Sequence, residues 1–329
     1  MMKMSIGAKK RGWVVWFIVA VVLSVCALAF AQQQLKYPEK PVTLIVPFSA
    51  GGGTDVGVRI LVKYAEKYFG QSFLVVNIEG GGSEVGVSRA LKSPPDGYII
   101  CSFNSASIIL TTMRKASYHP VNDVEPICLV VSDPRLFAVR ADDPRFKSAK
   151  DFIEYAKQNP GKLTIGTSGA GTSGHLSILA LNKAAGVEAR PVHFGGAGES
   201  RAAFLGGHID AVAQTYGEVY PLLREGKVRI IAVATEERLP ELTETPTFKE
   251  LGINLVISSN RGFVAPKGTP RDIINKIAEA FKKATEEPGF LDEMKKMGLP
   301  VKYLGPEEWG ALIKYEYELY SELAKQLTK

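Results

Sequence analysis

Residues 47–55, PFSAGGGTD, set three consecutive glycines, a hydroxyl and a carboxylate directly after an apolar run. If a helix starts at Thr54 or Asp55, the N–H groups of Gly51, Gly52 and Gly53 have no helical acceptor. With no side chains in the way, an anion can reach them. The helix dipole adds about 0.3–1 kcal/mol of attraction for negative charge at an exposed site. Thr54 or Asp55 can instead simply cap the helix, and the motif can be read as no more than a tight turn. A second stretch, GTSGAGTSGH (166–175), places Ser168, Thr172 and Ser173 among glycines. Several neutral donors on a bare backbone suit a carboxylate.

Other chemistries fit these residues poorly. A dinucleotide fingerprint built on Gly51 and Gly53 needs glycine at 56, where Val56 stands. Gly52 and Gly57 have P-loop spacing, but Val58 and Arg59 follow instead of Lys-Ser/Thr. Gly171-Thr172-Ser173-Gly174 is not a nucleophile elbow, because Ser173 runs directly into glycine. His175 is too close to Ser173 in sequence to serve as its base, and no acid partner is evident for His193 or His208. His175 is expected to support the loop at a helix start. The four histidines and sparse cysteines show no ligand spacing. The reading is therefore not an enzyme, with no metal and no cofactor.

The elements that must position these loops follow a simple alternation. PVTLIVPF (41–48), SFLVVNI (72–78) and YIICSF (98–103) read as strands, with helices over 55–70 and in the segment after GGGSEVG. Further strands are expected at 126–131, 136–140, 192–194, 209–215 and 229–235, and 262–266 starts the last segment. Helices are expected at 149–162, 269–285 and 306–327. The run 163–186 repeats strand, Gly/Ser/Thr turn and helix, as does 192–207. This is α/β grammar, in which ligands sit beyond the carboxyl ends of strands. Similar glycine rims in both halves, with no low-complexity linker, predict two lobes facing across a cleft and joined by crossing strands.

The chain has 329 residues, 46% hydrophobic and 22% charged, enough for about two domains. Lys3, Lys9, Lys10 and Arg11 precede the uncharged run Trp13–Phe30, and Ala29-Phe30-Ala31 has a small-x-small pattern. This predicts a signal peptide over 1–31, cleaved near Ala31, and a periplasmic or otherwise extracytoplasmic protein. A retained anchor is the alternative. Four basic residues and no acidic one leave with the signal, so the net charge falls from +6 to about +2. No basic run is left for nucleic acid. Cys101 and Cys128, in apolar strands, are expected to be free rather than paired.

From Tyr37 to the C-terminus the motifs YPEKPVTLIVPFSAGGGTD, SPPDGY, NPGKLTIGTSGAGTSGHL, FLGGHIDA and ETPTFKELG occur in consistent order. Together they resemble the substrate-binding proteins of tripartite tricarboxylate transporters, the Bug family. The resemblance implies a type II periplasmic-binding-protein fold: two α/β lobes, each a mixed sheet flanked by helices, hinged by crossing strands. Lobe one would combine 37–139 with 262–329, and lobe two would span 140–261, with crossovers near Val139–Arg140 and Asn260–Arg261. It implies a monomer that captures a small organic acid and delivers it to membrane permease subunits. The sensing of a ligand for a signalling receptor is the alternative, and after it an acyl- or phosphoryl-transfer enzyme of similar architecture. Carried onto this sequence, the first loop holds a carboxylate through Phe48, Ser49, Ala50, Gly51, Gly52, Thr54 and Asp55. The second offers Ser168, Thr172, Ser173 and His175, and Asp210 either flanks the cleft or serves a loop hydrogen bond. This chain departs from the pattern at NIEGGGS (77–83), where Glu79 and Glu84 add negative charge, at His193-Phe194-Gly195, and at Asn260-Arg261-Gly262. Arg261 would either pair with a second carboxylate or stand as a solvated hinge residue, the second being the expectation.

Overall fold

The computed structural model describes residues 37–325. The apolar run Trp13–Phe30, the cleavage site expected at Ala31 and residues 326–329 lie outside the described residues. Of the leading unit, Met1–Glu39, only 37–39 are described; a second compact unit begins at Lys40.

Strand β1 (Val42–Val46) is flanked by two parallel strands, β2 (Phe73–Asn77) and β3 (Ile99–Asn104). Its crossover to β2 is helix α1 (Gly53–Phe69). Val58, Leu61, Val62, Ala65 and Phe69 are buried at helical spacing, and Gly70 ends the helix in the left-handed region, its N–H bonded to the Glu66 carbonyl. Helix α2 (Glu84–Leu91) returns to β3, and α3 (Ser105–Met113) leaves it. The second half repeats the plan. Strand β5 (Thr164–Thr167) lies parallel between β6 (Arg190–His193) and β7 (Ala211–Thr215). Helix α4 (Ala149–Gln158) precedes β5, α5 (Ser173–Ala185) follows it, α6 (Ala197–Leu205) follows β6 and α7 (Tyr216–Arg224) follows β7.

The halves share long antiparallel strands. β4 (Val124–Arg140) pairs with β9 (Ser258–Pro266) as far as Pro134 opposite Ser258. From Arg135 onward it pairs with β7 and with β8 (Val228–Val233). The sheet order is β2-β1-β3-β9-β4-β7-β5-β6, with β8 and β10 (Val301–Leu304) also on β4. Helices α8 (Arg271–Thr285), α9 (Pro288–Lys296) and α10 (Pro306–Ala324) complete the chain.

Two strands were expected at 126–131 and 136–140, but one strand of 17 residues runs through both. Ser132-Asp133-Pro134 reads locally as a break, yet it is the place where β4 changes neighbours. That change falls earlier than the crossover expected at Val139–Arg140. Cys101 and Cys128 are free and buried, and burial pushes both thiols up. Among the described residues no helix is long and apolar enough to cross a membrane.

Candidate functional site

The opening motif does form a strand–glycine–helix corner. Gly52 is the N-cap of α1, so Gly53, Thr54 and Asp55 are its first three residues. Their amides have no intrahelical acceptor. Gly51 has φ 76°, which a side chain would resist. Gly51, Gly52 and Gly53 are exposed, as are Ser49 and Ala50.

Asp55 lies beneath this corner. It is buried. One carboxylate oxygen accepts from the Gly51 amide at 2.8 Å, the other from Asn77 Nδ2 at 2.9 Å, and Arg59 Nε reaches both at 3.0 and 3.1 Å. Burial opposes its charge, but the bonds from Arg59, Gly51 and Asn77 win and hold its pKa below the usual value. Asn77 also bonds the Phe48 carbonyl at 3.0 Å. Asn104, at the end of β3, donates to Thr54 Oγ1 at 2.9 Å. Asp55, Asn77 and Asn104 therefore shape the loop and leave the first-turn amides open. The Ser49 hydroxyl donates to Glu79, and Glu84 is engaged by Arg114 and the Ser117 amide.

The second corner uses the same construction. Thr172 caps α5, and its Oγ1 accepts from the His175 amide at 3.4 Å. Gly171 has φ 72°, and its amide donates to His175 Nδ1 at 3.1 Å. In both corners the third helical residue accepts from the glycine amide four positions earlier. A third case follows β6, where Glu199 accepts from Gly195 at 2.9 Å. Ser168 is half-buried, and the Thr172 hydroxyl donates to the Gly169 carbonyl at 2.8 Å.

His175 must be neutral at Nδ1 to accept this bond. Burial first, and then the charge of His193 with its ring centroid 4.4 Å away, push its pKa down to about 4. NMR titration is expected to show one imidazole that stays neutral down to about pH 4, and His193→Ala should raise that midpoint. Since the folded pKa is lowered, the stability tied to neutral His175 is complete above the ordinary value of 6.5 and is lost as pH falls through about 4. A midpoint near 6.5 would refute the assignment.

The crossing strands connect the two corners. The Arg261 guanidinium from β9 lies against Gly53, and its Nη2 is 3.8 Å from Asp133 Oδ2 on β4. Two residues along β4, buried Arg135 donates from Nη2 to Ser173 Oγ and from Nη1 to the Ala213 carbonyl at 3.4 Å. Burial raises the Asp133 pKa, with Arg261 opposing the rise, and burial lowers that of Arg135. A polar line thus runs from Gly53 through Arg261, Asp133 and Arg135 to Ser173. Met113, at the end of α3, also approaches Gly171: a Cβ there would meet its Cε at 3.1 Å.

Of the two readings of Asp210, the hydrogen-bonding one holds and the cleft-flanking one does not, since Asp210 lies away from both corners. Its carboxylate accepts from the Thr164 amide and hydroxyl at 2.9 and 2.6 Å and from Arg145 at 2.7 Å. Thr164 is the first residue of β5, whereas the second corner follows its last, about 10 Å away along an extended strand. Arg261 is not a solvated hinge residue, since its side chain is only 21% exposed and faces Gly53. Asp133 and Arg135 escaped notice, although charged residues inside an otherwise apolar strand were a usable signal.

Residues 58–327 match the tripartite tricarboxylate transporter family receptor, TctC. The chain belongs to that family. It is a TctC-type solute-binding protein, a class that is not enzymatic. It is 34% identical over 287 residues to a UPF0065 protein in the gbd 5' region of Cupriavidus necator, covering 87% of each chain. A TctC solute-binding protein from Polaromonas, solved without ligand, superposes with a TM-score of 0.83 at 31% identity, over 88% of this chain and 99% of that one. MatC from Rhodopseudomonas palustris, with bound malate, superposes with a TM-score of 0.69 at 27% identity, over 88% of this chain and 100% of that one. The two halves joined by β4 and β9 are the two-lobed type II periplasmic-binding-protein fold.

Proposed function

We propose that this protein captures a small organic carboxylate between its two lobes and delivers it to the permease subunits of a tripartite tricarboxylate-type transporter outside the cytoplasm. One observation carries the reading. Two corners of parallel construction, Gly51–Asp55 and Gly171–His175, each spend one side-chain acceptor on a loop glycine amide and leave amides at the helix start for a ligand, Gly53–Asp55 in the first and Ser173 and Gly174 in the second, where Thr172 caps the His175 amide. Lobe one is drawn from 37–134 and 258–329 and lobe two from 135–257, with β4 crossing the boundary where it changes neighbours at Pro134–Arg135. In the first corner the backbone from Phe48 to Thr54 forms the cradle, and Ser168, Thr172 and Ser173 face it from the second. Asp55 and His175 hold the cradle's shape. Malate bound to the MatC relative supports a carboxylate as the ligand class.

Donors from both lobes make the closed state bind more tightly than the open one, which drives closure. A thermal-shift screen of mono-, di- and tricarboxylates and aromatic acids tests the proposal. An acid present at 100 times its Kd is expected to add about 2.7 kcal/mol of stability. Stabilisation by amines or sugars, and by no acid, would end the carboxylate reading.

A further inference from the structure

We propose that Arg261 is a specificity-determining residue of this site: its guanidinium contacts the ligand's carboxylate at the first corner and selects ionised acids over their neutral isosteres. The inference rests on the carboxylate reading above and names the group that recognises the charge.

Arg261 is held in place by its strand. In β9 it pairs with Asn104 of β3 on one side and Val131 of β4 on the other. Asn104 in turn bonds Thr54, so the strand is tied to the N-terminus of α1. The side chain reaches the same point. A Cβ at Gly53 would lie 3.6 Å from Arg261 Nη1 and 4.0 Å from Cζ and Nη2.

This is a poor place for a cation whose one carboxylate partner among the described residues, Asp133, lies beyond hydrogen-bond reach. Gly53 is the first residue of α1, where the helix presents its positive end. Nη1 is buried and has no acceptor among the described residues. Asp133 lies 3.8 Å from Nη2, beyond hydrogen-bond reach, and is also approached by the Gly217 amide at 3.4 Å. Arginine cannot shed its proton to relieve the mismatch. A carboxylate entering the corner resolves it, since it can accept from Nη1 and from the amides at Gly53 and Thr54 together. Those amides alone would also bind a neutral carbonyl. The guanidinium adds the preference for charge.

Calorimetry on the protein lacking residues 1–31 tests this with succinate, malate, adipate and benzoate, and with the mono-amide of whichever acid binds best. Arg261→Gln is expected to weaken acid binding about 30-fold and to erase most of the preference for acid over amide. Arg261→Lys should restore part of it. Asp133→Asn should leave acid binding unchanged or tighter, because it frees the guanidinium. If Arg261 served only to hold Asp133, the Asp133→Asn and Arg261→Gln proteins would lose affinity alike, and the proposal would fall. It falls equally if folded Arg261→Gln binds acids as the parent does, in which case the carboxylate reading survives. If no acid binds the parent protein, that broader reading fails as well.

Discussion

Asp55→Ala is expected to disorganise the first corner and to destabilise the protein by about 2–3 kcal/mol. The buried carboxylate serves Gly51, Asn77 and Arg59 together, and its removal leaves the Gly51 amide without its acceptor and the Asn77 amide with only the Phe48 carbonyl. The Arg59 side chain is half exposed, so water screens much of the ion pair and the main loss comes from the two amides. Without the bond to Gly51 the loop is free to drift, and acid binding should weaken more than stability alone suggests. The folded pKa of Asp55 is lowered, so its contribution is present above the usual value of 3.8 and is lost as pH falls through the folded value. Urea unfolding at neutral pH, paired with calorimetric binding, provides the check. An alanine variant with parental stability and parental affinity would show that Asp55 does not hold the corner.

Glu316→Gln is expected to make the protein more stable at pH 8, by roughly 3 kcal/mol at most. Glu316 lies in the buried stripe of α10 between Ile313 and Tyr320. Oε1 accepts from Ser105 Oγ at 2.7 Å, Asn260 Nδ2 at 3.0 Å and the Tyr320 hydroxyl at 3.2 Å, while Oε2 has no partner among the described residues. Burial raises its pKa to about 7, and the three bonds only partly oppose it. The sign follows from that direction. A raised folded pKa gives stability that is complete below the usual value of 4.5 and is lost as pH rises through about 7. Glutamine keeps the acceptor and removes the ionisation, so parent and variant should match near pH 5 and diverge at pH 8. Chemical unfolding at both pH values measures this. A variant less stable than the parent at pH 8 would mean that the ionised carboxylate is itself stabilising. The site has reason to feel this group, because Asn260 immediately precedes Arg261 and its amide donates to Ser105 Oγ at 2.9 Å.

Much of the architecture was legible in the chain because it depends on local pattern. The apolar run at 42–46, the helix that follows the first glycine corner and its stop at Gly70 each follow from side-chain periodicity and backbone sterics. The two glycine corners were visible for the same reason, as their geometry is built within a few consecutive residues. Helices α3, α7 and α9 escaped because the first is rich in Ser and Thr, the second contains Pro221 and the third is short, so packing outweighs local preference.

What tertiary structure alone decided was which end of a strand a residue serves and which distant residue it meets. Asp210 follows a promising glycine motif, yet β5 places it at the end away from the corner. Arg261 and Gly53 are 208 positions apart in the chain, and only the pairing of β9 between β3 and β4 brings the guanidinium to the helix terminus. Ser132-Asp133-Pro134 resembles a turn until β9 and β7 are seen bonding the same strand on either side of it. Propensity and periodicity act over a few residues, whereas these placements depend on sheet order and register, which no short stretch of sequence contains.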